Sequence, residues 1–111
     1  MLLFHYVEIG TNDEDDRMLT DEELAKFLSV RKDLVDNIEL HPLLDGLFSV
    51  GCINDKHMES ILQPGTRSER IRALLDIIGR RSFAQFNQFV NGLHETFQAH
   101  VAHVIWEAFQ D

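Results

Sequence analysis

Three histidines within ten residues, His94, His100 and His103, are the side chains whose type and spacing first invite a chemical reading. His100 and His103 lie one helical turn apart, which suits a metal pair. Nothing completes the ligand set, because no cysteine is near and Glu95 and Glu107 fall at unhelpful spacing. A small metal- or ligand-binding helical bundle is therefore the alternative of a different class, and the expectation is no cofactor and no metal. Cys52, the only cysteine, sits between Gly51 and Ile53 at a helix junction, where packing is the expected role. A catalytic thiol needs a base and a lowered pKa, and neither is visible in its surroundings. Gly46 and Gly51 lie in a helical pattern with no lysine-threonine continuation, so no phosphate-binding loop is read there.

Chemistry being poorly supported, the elements themselves carry the information. Residues 66–96, TRSERIRALLDIIGRRSFAQFNQFVNGLHET, read as two amphipathic helices with only Arg80 and Arg81 between them. Thr66 with Glu69 and Ser82 with Gln85 both fit the capping box. Ile71, Leu74, Leu75 and Ile78 share one face of the first helix, and Phe86, Phe89, Val90 and Leu93 one face of the second. Thr20 with Glu23 makes a third box, opening a helix with Leu24, Phe27, Leu28, Leu34, Val35 and Ile38 inward. Arg31 occupies a slot expected to be apolar, which predicts a bend or offset between Ser29 and Lys32.

Pro42 suits the first turn of a second helix, with Leu43, Leu44, Leu47 and Phe48 inward and Gly51 at its left-handed end. Asn54 caps a third, with Met58, Ile61 and Leu62 inward, and Pro64-Gly65 stops it. A sixth carries Val101, Ala102, Val104, Ile105 and Phe109, with Trp106 at its edge; its boundary with the fifth is poorly marked, since neither proline nor glycine falls near Phe97. The expected fold class is all-α, a six-helix antiparallel bundle with a kinked first helix.

Charge is unevenly spread. The net charge of -9 divides into -7 over residues 1–23 and -2 over residues 24–111. Residues 1–19 are expected to be an acidic, mobile leader and residues 20–111 the domain, with docking as the other reading of the acid cluster at 13–16. The sparse basic count argues against nucleic acid as partner. No long uncharged apolar run and no basic, apolar start are present, so neither membrane nor export is indicated. One cysteine fits a reducing, cytoplasmic setting. On the helices themselves, Arg31 and Lys32 lie in the first, Arg67, Arg70 and Arg72 on the fourth, and Asp45, Asp55 and Glu59 on the second and third. These two groups can form a basic and an acidic surface, or remain ordinary solvated charges.

The chain resembles a caspase recruitment domain (CARD) of the death-fold superfamily over about 24–105. The strongest piece is LLDIIGRRSFAQFNQFVNGLHET at 74–96, similar to the prodomains of initiator caspases; RKDLVDNIELHPLLDGLF at 31–48, the turn at 51–54 and the start of the sixth helix at His100 support it. Ser82 departs from the glycine that many relatives carry after the basic pair, but its cap does the same conformational job. The resemblance implies a non-catalytic module that binds other CARDs through a basic surface on helices one and four and an acidic one on helices two and three. Arg31 matches the helix-one position, Arg67 and Arg72 those of helix four, and Asp45 that of helix two, with Asp55 and Glu59 in the helix-three region. The implied function is to recruit or cluster an initiator caspase in apoptotic or inflammatory signalling, with a stand-alone adaptor or inhibitory CARD as alternative. The implied partner is another CARD, a second copy or an adaptor, caspase or apoptosome-type platform. Because the surfaces differ, repeated contacts generate a ring or an open helical oligomer.

Overall fold

Leu24 to Phe109 alternate between apolar stripes and capping residues, and the computed structural model, which describes residues 17–110, resolves them into seven helices. These are α1 (Asp21–Ser29), α2 (Arg31–Asn37), α3 (Leu40–Ser49), α4 (Asp55–Leu62), α5 (Arg67–Gly79), α6 (Phe83–Glu95) and α7 (Ala99–Phe109). The fold is the expected all-α bundle. The count differs by one because the expected first helix is two, α1 and α2, broken at Val30 (φ -107°, ψ 11°). An unbroken helix would align Arg31 with Phe27, Leu34, Val35 and Ile38 on one face. The break keeps those four buried while Arg31 pairs at the surface with Asp76 of α5, Nη1 to Oδ1 2.8 Å. The second to sixth expected helices are α3 to α7.

Local capping explains where most helices begin. Thr20 and Ser82 form complete capping boxes with Glu23 and Gln85. Asn54 forms one with His57, whose Nδ1 accepts from the Asn54 N–H at 3.1 Å. At Thr66 only half of the expected box is present: Thr66 Oγ1 accepts from the Glu69 N–H at 3.1 Å, and the Glu69 carboxylate does not return the bond.

Two helices end in the same six-to-one turn for different sequence reasons. After α3, the Cys52 N–H donates to Leu47 O and the Gly51 N–H to Phe48 O, with Gly51 at φ 79°. After α6, Gln98 donates to Leu93 O at 2.7 Å and Phe97 to His94 O at 3.1 Å, with Phe97 at φ 64°. Both are Schellman motifs, whose left-handed position favours glycine. A phenylalanine there makes the α6–α7 boundary hard to read from sequence.

The core gathers around α6. Phe27 meets Phe86 and Phe89 edge-on, at ring-centroid distances of 5.2 and 6.1 Å. α3 packs on α6 where Gly92 admits Leu43 and Leu47; α7 covers α1 and α6, and α5 lies between α2 and α4. Of the expected leader, residues 1–16 lie outside the described residues. Residues 17–19 pack on the bundle: Arg17 O accepts from the Phe83 N–H at 2.7 Å, Met18 forms an antiparallel bridge with Ser82, and Leu19 borders the core. Arg17 also grips the Glu23 carboxylate with both guanidinium arms, at 2.8 and 3.0 Å, and holds its pKa below the usual carboxylate range. No helix among the described residues is long and apolar enough to cross a membrane.

Phe97 is 92% exposed, so its ring contributes almost nothing that offsets its left-handed backbone. Phe97→Gly is expected to stabilise the fold by about 1 kcal/mol, read as a higher urea midpoint with an unchanged denaturant slope.

Candidate protein-interaction surfaces

α2 and α5 lie side by side and run in opposite senses, as two sets of bonds show. At one end Arg31 of α2 meets Asp76 of α5. At the other, Arg67 at the start of α5 donates to the carbonyls that end α2: Nη1 to Val35 O at 3.0 Å, and Nη2 to Ile38 O at 2.6 Å and Asp36 O at 3.5 Å. Those are carbonyls that a helix C-terminus leaves without partners. Arg67 thus acts as the C-cap of α2. Arg70 is likewise occupied, its Nε donating to Pro64 O at 2.7 Å and bracing the turn that leads into α5.

The expected basic residues therefore separate into three kinds. Arg67 and Arg70 are spent on backbone carbonyls. Arg31 and Lys32 are paired within the chain, Lys32 Nζ lying 2.9 Å from Asp36 Oδ2 one turn on, and that partner raises the ammonium pKa. Arg72 alone of the five is exposed with no hydrogen bond or ion pair to another described residue. Arg80, which sequence reasoning treated only as part of a junction, is exposed in the same way at the end of α5. Basic side chains look alike in sequence, and only the neighbouring carbonyls distinguish a cap from a free cation.

The expected acidic residues are more uniform. Asp45 on α3 and Asp55 and Glu59 on α4 are all exposed, and none of their carboxylates has a partner among the described residues. α3 and α4 pack on one another, joined by the turn that buries Cys52 and Ile53. The unpaired acids and the unpaired Arg72 thus stand on different helices of the bundle. Exposed charges of this kind can attract a complementary surface without an internal pair having to break.

No nucleophile or metal cluster competes with this reading among the described residues. Burial pushes the Cys52 thiol up to about 11, and its Sγ donates to Gln85 O at 3.5 Å. The thiolate needed for catalysis is thereby disfavoured at neutral pH. His94 ends α6, while His103 on α7 pairs with Glu107 at 3.2 Å and stacks on Trp106. No group of three or more His, Cys, Asp or Glu side chains among the described residues is placed to hold a metal ion.

Compared with known families, residues 24–108 match the family model of the caspase recruitment domain, CARD. The chain belongs to this family. The matched residues run from α1 to the last turn of α7, so the CARD comprises nearly the whole described bundle. No curated protein sequence gives a significant match. A CARD is a non-catalytic, death-fold module for homotypic protein interaction, consistent with a bundle whose single thiol is buried and whose unpaired charges face outward.

Two measurements separate structural from surface charges. Arg67→Ala is expected to destabilise this CARD by about 1–2 kcal/mol by leaving the part-buried carbonyls that end α2 without their guanidinium partner, whereas Arg72→Ala changes urea stability by less than about 0.5 kcal/mol. His57 supplies a pH test. Its pKa is held below 6.5 by burial and, secondarily, by Arg81, and its neutral ring is the form that accepts the Asn54 N–H. The unfolded chain takes up the proton first as pH falls below 6.5, so this contribution is complete above that pH and is lost beneath it. The melting temperature is expected to fall between about pH 7.5 and about pH 5.5, and to fall less in His57→Gln, which keeps an acceptor in the capping position.

Proposed function

We propose that this CARD recruits or clusters an initiator caspase in the cytoplasm, in apoptotic or inflammatory signalling, through a contact between its basic α2–α5 side and the acidic α3–α4 side of another CARD. The observation that supports this reading best is the set of unpaired charges: Arg72 on α5 against Asp45, Asp55 and Glu59 on α3 and α4. Lys32, whose side chain is 88% exposed, and Arg31 add to the basic side once a partner's carboxylates compete with Asp36 and Asp76. Arg67 and Arg70 support the surface by fixing α5 rather than by touching the partner.

A basic side on one copy that fits an acidic side on the next is a heterologous contact, which closes into a ring or continues as a helical oligomer. Each exposed ion pair contributes only about 0–1 kcal/mol and weakens with salt, so a single contact is weak. Clustering then multiplies weak contacts and brings attached protease domains together.

The test uses two charge reversals, Arg72→Glu and Asp45→Arg, with size-exclusion chromatography and light scattering across salt, and titration onto purified initiator-caspase prodomains. Each variant alone is expected to lose salt-sensitive association by about tenfold or more, with its thermal melt unchanged. Mixed in equal amounts, the two keep one intact basic and one intact acidic surface, so they should associate with each other. Normal association of Arg72→Glu would remove the α5 surface from the proposal.

A further inference from the structure

Three charged side chains stand in a row along the outer face of α5. Arg72, Asp76 and Arg80 follow one another at four-residue steps, so each lies one helical turn from the next, and all three are exposed. Asp76 thus has an arginine one turn away on either side, at the spacing that suits helical ion pairs. It bonds neither. Its Oδ1 accepts instead from Nη1 of Arg31 on α2, at 2.8 Å, while the side chains of Arg72 and Arg80 have no hydrogen bond or ion pair to another described residue. One carboxylate lies amid three cations and occupies the one that comes from the neighbouring helix.

The fold has little need of that bond. The two side chains are 30% and 50% exposed, a setting in which an ion pair adds little to stability. α2 is already packed on α5 with Leu34 and Val35 buried, and Arg67 ties its end. What the bond does change is the surface. It satisfies Arg31 with a carboxylate where a partner's carboxylate would otherwise lie, and it sets a negative charge midway between Arg72 and Arg80, which are about 12 Å apart along the helix axis.

We infer that Asp76 is an internal competitor for Arg31, which leaves Arg72 and Arg80 as the two cations of α5 that an acidic partner engages. The partner that fits is a protein surface with carboxylates about two helical turns apart, and a carboxylate aimed between them meets Asp76, a repulsive element that narrows the choice of partner. The sequestering of Arg31 stands on the geometry alone. Its consequence for binding another CARD rests on the proposed function.

Two measurements keep these apart. A synthetic hexaglutamate peptide, titrated at low salt onto the full chain labelled with nitrogen-15, reads each arginine through its side-chain Nε–H resonance. The Arg72 and Arg80 signals are expected to shift and the Arg31 signal to stay. Asp76→Asn keeps an oxygen for Arg31 and removes the charge, so it should bring the Arg31 signal into the titration while the amide spectrum stays folded. Glu69→Gln removes the same charge from a carboxylate that holds no arginine, one turn before Arg72, and should leave Arg31 silent. Silence of Arg72 and Arg80, a shift of Arg31 in the native chain, or its silence in Asp76→Asn would each overturn the inference. In the light-scattering assay, Asp76→Asn should associate about threefold more tightly than the native chain, and Asp76→Glu no more tightly. If Arg72→Glu weakens association while Asp76→Asn leaves it unchanged, the competition is overturned and the proposed surface stands. If Arg72→Glu has no effect, the proposed surface falls and the peptide titration still decides the role of Asp76.

Discussion

The side-chain amide of Gln98 joins two parts of the bundle that no helix connects directly. Gln98 is 2% exposed, and its Oε1 accepts from the Glu39 N–H at 2.7 Å while its Nε2 donates to Glu39 O at 3.1 Å and to Thr96 Oγ1 at 2.9 Å. Toward Glu39 it behaves as a second peptide group. Glu39 is the N-cap of α3 and provides no side-chain cap of its own, so an amide from the α6–α7 turn takes part of that role. Removing it would leave donor and acceptor unsatisfied at the α2–α3 joint. That joint sets how α3, with Asp45, is turned against α2, with Arg31. The left-handed Phe97 belongs to the same device, because the turn it completes is what carries the next residue inward. Strain at an exposed ring is thus offset by bonds made at its buried neighbour.

A similar exchange governs the basic side. Arg67 could have been a surface cation, but the end of α2 presents carbonyls with no helical partner, and a guanidinium can satisfy several acceptors at once. Fixing α2 to α5 in this way uses one positive charge to hold others in place. Arg31 and Arg72 keep their relative position because the antiparallel seam is bonded at both ends. The placement of the surface charges depends on residues whose own bonds lie within the bundle.

Which features the sequence disclosed follows from the range of the interaction behind each. Capping at Thr20 and Ser82, the stripes of α5 and α6 and the Gly51 turn all depend on residues three to five apart, and each was legible. The break at Val30 was legible as a conflict at Arg31, though its resolution needed Asp76, forty-five residues away. The end of α6 was not legible, because its left-handed residue is phenylalanine. The division of the basic residues into caps, internal pairs and a free cation was also hidden, since it depends on which carbonyls and carboxylates the tertiary packing brings near. His57 as a capping partner and Gln98 as a clamp fall between these cases: the first is local but of an unusual residue type, and the second spans fifty-nine residues.

The internal ion pairs also bear on how strongly such a surface can bind. A partner carboxylate approaching Arg31 or Lys32 must displace Asp76 or Asp36, exchanging one exposed pair for another of about equal worth. The net gain at those two positions is then close to zero, even where both lie in the proposed contact. Arg72 differs because nothing has to be given up before it pairs, apart from its hydration. A contact built this way derives its energy from few residues while drawing its orientation from many, which is the pattern expected of interfaces in general. With so small a gain per contact, occupancy depends on how many modules are held together at once, and the low affinity of one pair becomes the condition for assembly to respond steeply to local concentration.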